Sequence, residues 1–167
     1  YDANGIRFLQ GDMNDVEDMG LVKIDVLGLR TLDQEYDTLE MSGESPEFLN
    51  PKQRYNDERV LNVFKSGDTL GIFQFSSNGM KQTLKKMDIS GIDDLSVANA
   101  LFRPGSMAYI DNYCNRKKGI EKFEYLHPDL ENILRSTYGI IVFQEQLIEI
   151  GRLAGMHNPD LLRKATG

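Results

Sequence analysis

Gly20-Leu21-Val22-Lys23-Ile24-Asp25-Val26-Leu27-Gly28-Leu29-Arg30-Thr31-Leu32 has the composition of a β-strand, and one face of it carries two charges. Alternate residues of a strand share a face. Val22, Ile24 and Val26 then point into a core, while Leu21, Lys23, Asp25 and Leu27 point the other way. The strand rise separates Lys23 from Asp25 by roughly 6.5–7 Å. Two uses fit such a pair. One is a weak ion pair on a half-exposed strand. The other is a carboxylate for a metal beside a cation for a phosphate.

Upstream, Asn4-Gly5 is a hairpin signal. It places a turn at Ala3–Gly5 and a short strand at Ile6–Gln10, whose partner strand is expected before Tyr1. Asn14–Met19 reads as one short helical turn. Beyond Gly28 the period lengthens: Leu32, Tyr36, Leu39 and Glu40 follow helical spacing until Ser42-Gly43 stops them. Glu44–Tyr55, with two prolines, reads as a loop. Asn56 or Asp57 caps a helix with an apolar face of Val60, Leu61, Val63 and Phe64, closed by Gly67.

Thr69–Phe75 is an apolar run that suits either a buried strand or an extended turn. Ser76 or Ser77 caps a helix to about Met87, on which Lys81 and Lys85 share a face. Ile92–Phe102 is a further helix, capped near Asp93 or Asp94, with Leu95, Val97, Ala98 and Leu101 inward. Pro104-Gly105 breaks it. Helices are also expected at Ser106–Lys118, Pro128–Thr137, Gln144–Ala154 and Pro159–Ala165, the last capped by Asn158.

The 167 residues suffice for one domain with a core. No apolar run approaches the ~20 residues of a membrane span. The single Cys114 excludes an internal disulfide and fits a reducing compartment. Two separated histidines and one cysteine give no zinc-ligand spacing. No Gly-rich phosphate loop and no credible Ser-His-Asp set is present. The net charge of −7 argues against a simple nucleic-acid-binding module. It is uneven, however: residues 1–50 carry −9 and residues 51–167 carry +2. The chain begins with Tyr1 and stops at Gly167 just after a basic pair, and both ends read as cuts through something larger.

Four clusters are candidates for chemistry. Lys23 with Asp25 is the first. Phe102-Arg103-Pro104-Gly105 places an arginine at a helix end, where it reaches an anion or caps carbonyls. Gly139-Ile140-Ile141-Val142-Phe143-Gln144-Glu145-Gln146 sets polar residues at the mouth of an apolar run, where they also serve to order a helix start. In Leu161-Leu162-Arg163-Lys164-Ala165-Thr166-Gly167, the adjacent Arg163 and Lys164 suit a polyphosphate, the arginine as a fork and the lysine as a point charge. A surface basic pair is otherwise commonplace.

Together these stretches resemble the bacterial C-family replicative DNA polymerases, the polymerase III alpha group. Val22–Leu32 looks like the strand that carries the family's third catalytic aspartate. Gly71-Ile72-Phe73-Gln74-Phe75-Ser76-Ser77-Asn78-Gly79-Met80-Lys81 is similar to its Phe-Gln-(Leu/Phe)-Glu-Ser-x-Gly-Met stretch. Ala100–Gly105 resembles Leu-Phe-Arg-Pro-Gly, and Asp111-Asn112-Tyr113 with Arg116, Lys117 and Gly119 follows in order. Thr137–Gln146 resembles Tyr-Gly-(Ile/Val)-x-x-(Tyr/Phe)-Gln-Glu-Gln. Leu162–Gly167 resembles Leu-Arg-(Arg/Lys)-Ala-(Met/x)-Gly.

The resemblance implies an α+β, mainly α chain. Residues 1–32 would be the C-terminal part of a palm, a remnant of a polymerase-beta-like nucleotidyltransferase sheet. Residues 33–167 would be the inner part of helical fingers. The implied activity is template-directed DNA synthesis, with two Mg²⁺ ions promoting attack of a primer 3′-hydroxyl on a nucleotide. Asp25 matches the third carboxylate, and so one metal ligand. Lys23, Arg103, Arg163 and Lys164 match contacts to the dNTP phosphates.

Implied partners are primer–template DNA, dNTP and the rest of the polymerase chain. A sliding clamp and other replisome subunits would bind regions outside this chain. The location would be the cytoplasm of a bacterium or phage-infected bacterium. The family's first two carboxylates lie in a Pro-Asp-(Phe/Ile)-Asp-x-Asp type motif, which has no counterpart here. Ser76 stands where the family has Glu, and the basic pair is Arg-Lys rather than Arg-Arg. One aspartate does not hold two octahedral ions, so the chain alone is expected not to polymerise DNA. The alternative is a non-catalytic nucleotide or nucleic-acid binding module that uses the basic pair.

Overall fold

A computed structural model of the chain describes residues 3–22, 24–49 and 57–166. It divides into two compact units, Tyr1–Leu49 and Asn50–Gly167. The described residues are mainly helical.

In the first unit, Asp12 starts α1 (Met13–Asp18) through a reciprocal capping box. Its Oδ1 accepts from the Asn14 and Asp15 amides at 2.7 and 3.1 Å, and Asp15 Oδ2 accepts from the Asp12 amide at 2.9 Å. Helix α2 (Arg30–Ser42) ends where expected, at Gly43 in the left-handed conformation. Of its expected inward residues Leu39 is buried, whereas Leu32 and Tyr36 are exposed.

No β-strand exists among the described residues, either at Ile6–Gln10 or along the Gly20–Leu32 stretch where the sequence predicts one. A strand exists only with a neighbour to take its backbone hydrogen bonds, and alternation alone supplies none. Val22, Ile24, Val26 and Leu27 are each more than four-fifths exposed, not buried in a core. Lys23 lies outside the described residues.

In the second unit, Asp57 caps α3 (Glu58–Ser66) and Gly67 closes it. Ser77 caps α4 (Asn78–Met87), its hydroxyl accepting from the Met80 amide. Next come α5 (Ile92–Leu101) and α6 (Ile110–Lys117). Helix α4 is the hub. It packs on α3, α5 and α6, because Met80, Thr83, Leu84 and Met87 fall at helical spacing and are all buried. Burying side chains as completely as Leu84 and Met87 contributes about 1.5–3 kcal/mol each. Helices α7 (Leu130–Leu134), α8 (Gln144–Leu153) and α9 (Asp160–Thr166) complete the unit, α8 packing on both α7 and α9.

Local details depart from the sequence pattern for identifiable reasons. Thr69–Phe75 is a series of turns, with Ile72 N donating to Thr69 O and Phe75 N to Ile72 O. The helix expected from Ser106 begins as a 3₁₀ turn, Ser106–Tyr109, and becomes α-helical only at Ile110. Neither Asp93 nor Asp94 caps α5, whose N-cap is Gly91.

Asp94 instead turns inward and ties α5 to α6 and to the segment before α5. Its Oδ2 accepts from Lys117 Nζ at 2.6 Å, from Ser90 N at 2.7 Å and from Ser90 Oγ at 2.6 Å. Its Oδ1 accepts from the Tyr113 hydroxyl at 3.0 Å. Lys117 Nζ also donates to the carbonyls of Asp88 at 2.7 Å and Met87 at 3.3 Å, at the end of α4. Burial pushes the Asp94 carboxyl up, but the hydrogen bonds from Lys117 and Ser90 outweigh it and hold Asp94 below its ordinary value.

Removing one partner of a buried pair strands the other charge, so Lys117→Met is expected to cost about 3–5 kcal/mol. A carboxylate with a lowered folded-state pKa stabilises above its unfolded value of 3.8 and ceases to do so as pH falls through the folded value. Urea midpoints from neutral pH to about pH 2 test both points. Lys117→Met should lower the neutral-pH midpoint and flatten the acid limb relative to wild type.

Candidate functional site

Asp25 belongs to the first unit, in the irregular segment between α1 and α2, with an exposed side chain. Arg103, Arg163 and Lys164 belong to the second.

The turn that carries Arg103 is built from its neighbours. Leu101 is in the core. Phe102 lies over Gly79 in the first turn of α4, so closely that a Cβ on Gly79 would sit 2.6 Å from Phe102 Cζ. The Arg103 carbonyl accepts from the Ser106 and Met107 amides, both at 3.1 Å. Gly105 takes φ of 92°, which favours glycine. This leaves the Arg103 side chain exposed, with no hydrogen bond or ion pair among the described residues.

The Thr137–Gln146 stretch is held from within. Gln146 is buried, and its four polar contacts are directional. Its Oε1 accepts from the amides of Val142 and Phe143 at 2.9 and 3.0 Å, and its Nε2 donates to Ile133 O at 3.2 Å and to Thr137 Oγ1 at 2.8 Å. Tyr138 packs edge-on against Tyr113 with ring centroids 5.2 Å apart. Its carbonyl accepts from Arg116 Nη1 at 3.1 Å. Arg116 also donates to Glu121 at 2.7 Å and lies over the Phe123 ring. Tyr109, Asn112, Arg116, Gly139, Ile140 and Ile141 line a cavity of about 380 Å³. Gln144 and Glu145 remain exposed at the start of α8.

Arg163 and Lys164 sit on α9 and share one carboxylate. Arg163 forks onto Asp160, Nε to Oδ1 at 2.6 Å and Nη2 to Oδ2 at 3.1 Å. Lys164 Nζ is 3.9 Å from Asp160 Oδ2. The Arg163 guanidinium holds the Asp160 carboxyl below its ordinary value, and Asp160 raises Arg163 in turn. Three side chains thus present a net charge of about +1.

Residues 31–167 match the model of the bacterial DNA polymerase III alpha subunit finger domain. The chain belongs to that finger-domain family. Proteins named DNA polymerase III subunit alpha match almost all of it. That of Halalkalibacterium halodurans is 43% identical over 165 residues, 96% of this chain and 15% of the relative. That of Borreliella burgdorferi is 40% identical over 167 residues, 95% of this chain and 14% of the relative. That of Bacillus subtilis is 41% identical over 166 residues, 96% and 15% respectively. The chain therefore spans about one-seventh of the length of these relatives.

One residue that shapes the finger domain was not singled out by motif. Gly151 is buried in α8, where glycine weakens a helix. A Cβ there would come within 2.9 Å of both Leu162 Cδ1 and Pro159 Cβ, and 3.3 Å of the Pro159 backbone. The signal available in sequence is a glycine inside an otherwise periodic helix. Gly151 lets α9, and with it Arg163 and Lys164, dock on α8. Gly151→Val should cost about 1–3 kcal/mol by overpacking and speed amide exchange across α9. Unchanged stability with a protected α9 would refute this packing role.

Proposed function

We propose that the chain is part of the catalytic core of a template-directed DNA polymerase, with residues 1–32 as the C-terminal part of the palm and residues 33–167 as the inner fingers. The finger-domain match over residues 31–167 carries this reading. In it, Asp25 is one catalytic carboxylate, and Lys23, Arg103, Arg163 and Lys164 contact the phosphates of the incoming dNTP. Residues 21–29 then complete a palm sheet whose other strands lie elsewhere in the larger protein. The exposed Val22, Ile24, Val26 and Leu27 are consistent with that role.

Partners follow from the reading: primer–template DNA, dNTP, the rest of the polymerase chain and, through other regions, a sliding clamp and replisome subunits. The proposed setting is the bacterial cytoplasm. Among the described residues no helix is long and apolar enough to cross a membrane.

Two-metal nucleotidyl transfer needs Mg²⁺ in octahedral oxygen sets. No group of three Asp, Glu, His or Cys side chains that could hold a metal exists among the described residues. These residues therefore do not by themselves fit the ion, and Asp25 would supply one ligand of a set completed outside them. The chain's own part in the chemistry is charge placement. Arg103 offers a guanidinium with no partner among the described residues, suited to an incoming anion. Arg163 is held in a forked geometry by Asp160, and a phosphate that takes the same fork exchanges with that carboxylate.

In the complete polymerase, Asp25→Ala should abolish primer extension and leave the Kd for DNA unchanged. Extension near the wild-type rate would overturn the assignment of Asp25. Arg163→Ala should raise the KM for dNTP with kcat largely kept, as loss of a contact equal in ground and transition states does.

A further inference from the structure

Three non-glycine residues among those described have positive φ: Gln74 at 64°, Asp88 at 52° and Tyr138 at 52°. Two have structural work that explains the strain. Asp88 ends α4 and its carbonyl takes the Lys117 ammonium. Tyr138 packs against Tyr113 and its carbonyl takes Arg116.

Gln74 differs: among the described residues its carbonyl takes no side chain, and its side chain makes one hydrogen bond, to Asn99. Its turn is fixed by other groups: Phe75 N on Ile72 O, the Thr69 hydroxyl on Phe75 O, and the Phe75 ring edge-on to Phe64. Glycine would fill this left-handed position without strain. What glutamine adds is an exposed amide in one orientation. Its Oε1 accepts from Asn99 Nδ2 at 2.6 Å, while its Nε2 has no partner among the described residues. Asn99 belongs to the end of α5 that sets Phe102 over Gly79 and carries Arg103 just beyond. The turn that presents the Gln74 amide is thus tied to the helix that leads into Arg103, and neither Gln74 Nε2 nor the Arg103 guanidinium has a partner among the described residues.

Resting on the polymerase reading above, we propose that Gln74 is a substrate-contacting residue whose Nε2 donates to an uncharged oxygen of the incoming nucleotide, on its sugar or base, and that Asn99 is the positioning residue that aims it. A neutral donor suits an uncharged oxygen, and the phosphates fall to the cations.

The test uses the complete polymerase. Gln74→Gly relieves the strain, so its thermal midpoint should equal or exceed wild type, while the KM for dNTP should rise about tenfold, the worth of one hydrogen bond to a bound ligand. Asn99→Asp exchanges the donor for an acceptor, turns the Gln74 amide over and should raise KM similarly without touching Gln74. The double variant should be no worse than Gln74→Gly alone. A rise shared by all four dNTPs identifies the sugar, and one confined to some bases identifies the base.

KM within twofold of wild type in both single variants would overturn the proposal. So would a weakened DNA Kd with unchanged KM, which would assign the amide to primer or template. Primer extension by the unsubstituted complete protein, measured alongside, separates the two levels. Absence of template-dependent extension breaks the polymerase reading, whereas normal extension beside indifferent Gln74 and Asn99 variants breaks this inference alone.

Discussion

An ammonium group largely withdrawn from water has to be surrounded by acceptors, and Lys117 collects four: the Asp94 carboxylate, two carbonyls at the end of α4 and the Ser90 hydroxyl. Because these come from α4, α5 and the segment between them, one side chain of α6 fixes the angle of all three helices. The same carboxylate holds the Tyr113 hydroxyl, and Tyr113 in turn bears the Tyr138 ring. From Tyr138 the order passes through the Gly139 turn to Gln146 and α8, and across Gly151 to α9. The elements that carry Arg103 and Arg163 are both positioned by structure that leads back to this buried pair.

Helix ends were the legible part of the fold, because they are set by local chemistry. Asp57 with Gly67, Ser77 and Gly43 act within a few residues of themselves, and the structure uses them as the pattern predicts. Asp94 shows where locality fails. An aspartate early in a helix reads as a cap, yet its partners Tyr113 and Lys117 are 19 and 23 residues away. The segment around Asp25 shows the other limit. Alternating Val22, Ile24 and Val26 favours a strand, but pairing is a property of two segments and the second is not among the described residues.

Motifs identified the family without saying which of their residues do what. In Leu-Phe-Arg-Pro-Gly, Leu101 fills the core, Phe102 fits over Gly79 and Gly105 makes the turn, while the Arg103 side chain is exposed with no hydrogen bond or ion pair among the described residues. In Gln-Glu-Gln, Gln146 is consumed by four internal hydrogen bonds, while Gln144 and Glu145 stay at the surface. Spacing along the chain does not distinguish a polar side chain that is already satisfied from one still seeking a partner, since that depends on what the fold brings beside it. Gln74 was visible in sequence only as part of a stretch, and its backbone strain appears only in three dimensions.

Asp160 occupies Arg163 with the geometry that a phosphate would use. Any anion arriving at α9 meets a resident competitor tethered three residues away. A singly charged visitor gains little by exchanging one anion for another, whereas a polyanion that engages Lys164 as well replaces one weak contact and one strong one together. When the visitor leaves, the carboxylate refills the fork without diffusion. In the proposed role at a dNTP phosphate, such a tethered counter-ion would favour exchange over retention and discriminate by charge number.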